Sequence, residues 1–147
     1  MPPSLSLRFT THRFDHTSEL PEAYNAGNRF YGRDVAEWLA AELTARGFPS
    51  DLLDEDWGWL VFATKDAPHD LEIAVYHLED DEENATPASP EAEWGLWLRA
   101  HETRKRLGLF TSRVEVPVPE RFAHAVREAI VSIGARAERW EDGPADG

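Results

Sequence analysis

Apolar and polar residues alternate with period two in three stretches of the chain and recur with helical spacing in two others. "SLSLRF", residues 4–9, alternates and predicts a short first strand. Val35, Trp38, Leu39 and Leu43 form one stripe at helical spacing. Asp34 with Glu37 reads as a capping box at the start of that helix, and Gly47 with Pro49 as its stop. Three strands are predicted next, over Trp57–Ala63, Leu71–His77 and Trp94–Ala100. A short helix is expected near residues 101–107. A second long helix is predicted from Pro119, suited to the first helical position, to Ile133, with Gly134 as its cap and Phe122, Val126, Ala129, Ile130 and Ile133 as its stripe. "RAERW" closes the pattern as a short strand ending at Trp140.

The order β-α-β-β-β-α-β predicts an α+β fold with an antiparallel-rich sheet and both helices on one face. A ferredoxin-like arrangement with an added strand is the expected topology. One domain is expected over residues 1–140, with an acidic flexible tail over 141–147.

Parity then sorts strand residues by face. Leu71, Ile73 and Val75 should look toward the helices, together with Trp94, Leu96 and Leu98. The opposite face would carry Glu72, Tyr76, Trp97 and Arg99. The second strand is apolar on both faces. If Gly58 faces inward so that a helix can approach closely, Trp57 and Trp59 join Tyr76 and Trp97 outside. The competing reading is that aromatic stripes are core, covered by the long N-terminal segment with its Phe14, Tyr24, Phe30 and Tyr31.

Composition narrows the function classes. The 147 residues suffice for one core, and 41% apolar residues with 11% aromatics argue against disorder. No cysteine is present, so thiolate metal sites, iron–sulfur clusters and cysteine nucleophiles are excluded. No apolar run reaches the roughly 20 residues of a membrane span, and the N-terminus lacks the pattern of a secretion signal. A cytoplasmic protein is the simplest expectation.

Charge changes the picture most. With 28 acidic and 15 basic residues, the formal net charge is −13. Such a field repels phosphate backbones and favours basic partners, so nucleic acid is not expected despite an aromatic sheet face that invites the comparison. A local basic island, Arg99, Arg104, Lys105, Arg106 and Arg113 against Glu102, offers a place for a phosphate or an acidic partner, but is expected instead to pair with the protein's own acid clusters.

Candidate chemistry is sparse. His12, Asp15 and His16 have a metal-like spacing but no helical stripe to converge them. "DED" at 54–56 and "EDDEE" at 79–83 lack the spaced ligands and glycine of a calcium loop. No nucleophile elbow, P-loop or dinucleotide fingerprint occurs. No cofactor is expected, and catalysis is the less favoured class. The turn-rich "NAGNRFYGRD" beside the acidic, tryptophan-rich "DEDWGW" marks the place to expect a pocket.

The stretches "NAGNRFYGRDVAEWLAAEL" and "DEDWGWLVF" together resemble a family of small uncharacterised bacterial proteins. The resemblance covers about residues 24–63; it implies a bacterial origin and carries no activity.

Two functions follow as expectations. The first is a non-catalytic binding module for a basic protein, like toxin-neutralising immunity proteins in composition, with Asp54, Glu55 and Asp56 steering association and tryptophans supplying affinity. The second is a small-ligand or enzymatic pocket under the 24–33 loop, lined by Tyr31, Trp57 and Trp59 with Arg29 or Asp56 as the polar group, and Asn28 is a further candidate binding residue. A homodimer would also cover the outer aromatic face.

Overall fold

The computed structural model describes residues 4–11, 33–55, 58–63, 69–77, 92–106 and 110–140. In chain order the elements are β1 (Leu5–Thr11), α1 (Arg33–Ala45), β2 (Asp51–Glu55), β3 (Gly58–Ala63), β4 (His69–His77), β5 (Ala92–Arg106), β6 (Phe110–Val116), α2 (Glu120–Ser132) and β7 (Glu138–Arg139). The fold is α+β with an antiparallel sheet in the order β2-β3-β4-β5-β1-β7, and β6 pairs with β5.

β5 organises the sheet. β4 lies along one edge, and β1 and β6 share the other: Ala92–Leu98 pair with β1, Ala100–Arg106 with β6. Pro117 and Pro119 follow β6 directly, and a residue without an N–H cannot extend the ladder. The edge passes to β1 at that point. β1 is flanked by β5 and β7, as a ferredoxin-like order requires. The additions are β2 and β3 beyond β4, with β6 beside β1, rather than one strand.

The register fixes the faces. Leu7 and Phe9, Trp59, Val61 and Ala63, Leu71, Ile73 and Val75, and Trp94, Leu96, Leu98 and Ala100 share the face that packs on the helices. From α1 this core receives Val35, Ala36, Leu39, Ala40 and Leu43, and from α2 Phe122, Ala125, Val126, Ala129 and Ile130. Both helices therefore cover the same side of the sheet. Phe48 joins them, edge-on to Phe122 at 5.4 Å between ring centroids.

Both helices stop the same way. Phe48 N–H reaches Leu43 O and Gly47 N–H reaches Thr44 O; Ala135 and Gly134 repeat the pattern on Ile130 and Val131. Gly47 (φ 96°) and Gly134 (φ 81°) take the left-handed position that these Schellman caps require.

Several expectations need correction. The short helix at 101–107 is instead the continuation of β5 to Arg106. The arginine-rich run lies along a sheet whose partner strand β6 supplies inward Val116. β2 and β6 were not predicted: a strand with three acids in five residues carries a weak β signal, and only an edge position tolerates it. Pro119 is the N-cap of α2 rather than its first helical residue. The capping box also differs: Asp34 accepts a bond from Val35 N–H at 3.0 Å, while Glu37 pairs with Arg33 at 2.9 Å. The segments 12–32 and 141–147 lie outside the described residues.

Candidate functional site

The face opposite the helices has a different chemistry. β4 contributes Asp70, Glu72, Ala74 and Tyr76 to it, and β5 contributes Gly95, Trp97, Arg99 and His101. Arg113 and Glu115 come from β6, and Ser6 and Arg8 from β1. Tyr76 and Trp97 stand where parity put them, both half-buried. Trp59 does not. It pairs with Val75 on the helix side and is 3% exposed. Gly58 consequently belongs to the outer face with Leu60 and Phe62, so it makes no room for a helix. The large indole is worth more under α1 than on a solvated face, and burying it sets the phase of the whole strand.

At the centre lies Glu72, 8% exposed. Its Oε1 accepts Arg99 Nη2 at 2.9 Å and lies 3.7 Å from His101 Nδ1; Oε2 is 3.9 Å from Arg113 Nη2. Arg113 Nε also lies 3.8 Å from Asp70. The Arg99 guanidinium carbon sits 4.2 Å from the centroid of the Trp97 ring, within cation–π range. One buried carboxylate thus orients the arginine that stacks on Trp97. This is the pairing expected of the basic island for Arg99 and Arg113. The side chains of Arg104, Lys105 and Arg106 lie outside the description. The clamp leaves three nitrogens without a hydrogen-bond partner among the described residues: Trp97 Nε1, Arg99 Nε and His101 Nδ1.

Beside the clamp is an aromatic cover. β7 pairs with β1 through Arg139 with Leu7 and Glu138 with Arg8, and Trp140 N–H bonds Ser6 O at 3.1 Å. That bond lays the Trp140 ring over Gly95, where an added Cβ would come within 2.7 Å of it. Tyr76 meets the same ring edge-on at 5.5 Å. Burial pushes the Tyr76 hydroxyl above its ordinary pKa, while the charge of Arg99 pulls it partly back. Trp140 was missed as a site residue. A glycine in mid-strand was the available signal, since it often marks a close approach.

A cleft of ≈ 180 Å³ opens at the far end of β1, lined by Arg8, Phe9, Thr10, Glu93, Arg136 and Glu138. Arg8 bridges Glu93 and Glu138, each at 3.4 Å. Among the described residues no group of three His, Asp or Glu side chains is placed to hold a metal ion. His12, Asp15 and His16 lie outside them. So do Asn28, Arg29, Tyr31, Asp56 and Trp57. Asp54 and Glu55 are seen as backbone in β2, paired with Trp59 and Gly58. No helix among the described residues is long and apolar enough to cross a membrane. Compared with protein-family models, curated proteins and solved structures, the chain gives no significant match to any.

Proposed function

We propose that this protein is a non-catalytic binding module that docks a basic protein partner on the outer face of its sheet. The observation that carries the reading is the placement of Tyr76, Trp97, Arg99 and Trp140 on the face opposite both helices, each neither fully buried nor fully exposed. Tryptophan, tyrosine and arginine dominate the energetics of protein interfaces, where a pre-oriented ring loses little entropy on binding. The Glu72–Arg99 clamp orients Trp97 in advance.

Electrostatics select the partner. Among the described side chains, the outer face carries Asp51, Asp70, Glu72, Glu93, Glu115 and Glu138 against Arg8, Arg99 and Arg113. The excess has the same sign as the net charge of −13, so near and far fields both draw a basic surface in. The pocket alternative has lost Trp59 to the core, and its other residues lie outside the described structure.

The test is capture from the source organism's lysate at low and high salt, followed by affinity measurements on the captured protein. A basic protein should bind at low salt and leave as salt rises. Trp97→Ala should then weaken it by about tenfold or more, equivalent to about 1.4 kcal/mol. An equal affinity for the Trp97→Ala and Tyr76→Ala variants would place the partner elsewhere, and an empty capture at both salts would remove the reading.

A further inference from the structure

The two edges of the sheet are not equally protected. At one, β7 covers part of β1, while β6, charged at Arg113 and Glu115, has β5 as its one described partner. At the other, β2 pairs with β3 on one side and with no described strand on the other. The direction of its backbone groups follows from two observations. Glu55 pairs with Gly58 across only two residues, the spacing at which the closing pair of a short hairpin exchanges hydrogen bonds. Leu52 N–H, meanwhile, is bonded to Asp51 Oδ1 at 2.9 Å rather than held in the ladder. Bonded and non-bonded pairs alternate in an antiparallel ladder. Leu52 and Asp54 therefore turn their N–H and C=O groups to the edge that no described strand covers.

Edges of this kind are normally blunted by proline, bulges, shortness or charge. β2 has five residues and no proline, and Leu53 on its outer side is 47% exposed, next to its pair partner Leu60. Charge is the remaining protection. The strand contains Asp51, Asp54 and Glu55, so a second copy of β2 laid against it would bring acids onto acids. A basic strand would meet no such barrier.

We infer that β2 is a strand-addition site for an extended basic segment of the partner. The segment continues the sheet through the Leu52 C=O and the N–H and C=O of Asp54, and reaches the Leu52 N–H by displacing Asp51 Oδ1 from it. It sets an apolar side chain beside Leu53, and two positions along it a lysine or arginine opposite Asp51. The inference rests on the basic-partner reading above and adds its mode: main-chain hydrogen bonds supply affinity, and side-chain alternation supplies selectivity.

The probe is a short acetylated and amidated peptide alternating lysine with valine, dye-labelled and titrated into the full chain at low salt. A second peptide carries N-methyl groups on alternate residues, which keeps charge and side chains but deletes one edge of donors. The parent peptide should bind and slow amide exchange at Asp54. N-methylation should weaken it by about tenfold or more. Asp54→Pro, which removes an outward N–H and leaves the bonds to β3, should do the same. Asp51→Asn, at the position opposite the segment's cation, should cost less and mainly reduce the salt dependence.

Equal binding of the two peptides, or no binding of the parent, overturns the proposal. The N-methyl comparison is made on the unaltered protein, so it stands even if Asp54→Pro fails to fold. A captured partner that responds to Trp97→Ala but not to Asp54→Pro would remove the strand-addition mode and keep the outer-face reading. Peptide binding at the edge with no basic protein captured would do the reverse.

Discussion

The two faces of this sheet are made from alternate residues of the same strands, yet they are built to different standards. On the inner face, Leu71, Ile73, Val75, Trp94, Leu96 and Leu98 are 1% exposed or less, and each is held by volume and apolar contact. On the outer face, Glu72, Tyr76, Trp97, Arg99 and Trp140 are held by direction: an ion pair, a stacked guanidinium and a ring seated on a glycine. The inner face tolerates substitutions that preserve shape. The outer face depends on which atoms meet, so stability should be concentrated in one and recognition in the other.

Adjacent residues of β5 test that contrast most strongly. Leu98→Ala should cost about 2–5 kcal/mol, the range for a leucine deleted from a closed core. Trp97→Ala removes a larger side chain one position away and should cost less, because its ring is already part-exposed. Denaturant unfolding of the two variants provides the comparison. If Trp97→Ala proves the more costly, the outer face is a second core and its role in recognition weakens.

Glu72→Ala comes next. It deletes the carboxylate that Arg99, His101 and Arg113 surround, leaving the part-buried Arg99 guanidinium without its partner. The expected loss is about 2 kcal/mol, because Arg113 is half exposed and recovers solvation. Its signature is a change in the fluorescence of Trp97 as Arg99 leaves the ring. A loss of stability with no spectral change would mean that the clamp does not orient the indole.

The inner face was legible in sequence, and the outer one only in part, for a physical reason. Burial imposes a period, and the aliphatic residues of β4 and β5 announced both their strands and their phase. β3 did not, because "GWLVFA" is apolar at every position; only α1 decides which side buries Trp59. Edge strands carry least signal, since charge is what protects them, and so "DLLDE" reads as loop. The site fared similarly. Tyr76, Trp97, Glu72 and Arg99 followed from parity. Convergence of His101 and Arg113 on Glu72 required β5 to run on to Arg106, which an arginine-rich run does not suggest. Trp140 required the pairing of β7 with β1, a contact between the two ends of the chain.

Gly95→Ala is a smaller perturbation, aimed at the aromatic cover. The new Cβ would overlap the Trp140 ring, and overpacking of this kind costs about 1 kcal/mol when the obstructing group can move. Trp140 sits just past a two-residue strand, so it should be the part that yields. The double variant Gly95→Ala/Trp140→Ala should recover the loss relative to Trp140→Ala alone. No recovery would mean that the alanine is excluded by the strand itself and not by the ring.

The mildest change, Tyr76→Phe, keeps the ring against Trp140 and removes only the hydroxyl. At neutral pH it should leave stability nearly unchanged. The difference emerges at alkaline pH. The hydroxyl titrates above the ordinary 10.0 in the folded protein, chiefly through burial, so as pH passes that value the unfolded chain releases its proton first. The folded state then binds more protons, and stability falls as pH rises. That loss begins at the unfolded pKa and grows up to the folded one, whereas below the unfolded value the contribution is fully present. Tyr76→Phe should therefore flatten the alkaline limb of a stability–pH profile while leaving the neutral region in place. It should also delete a phenol that titrates above the ordinary 10.0 from a tyrosinate absorbance titration. An unchanged alkaline slope would mean that Tyr76 is as solvated as a free tyrosine, and that the cover formed by Trp140 stands open.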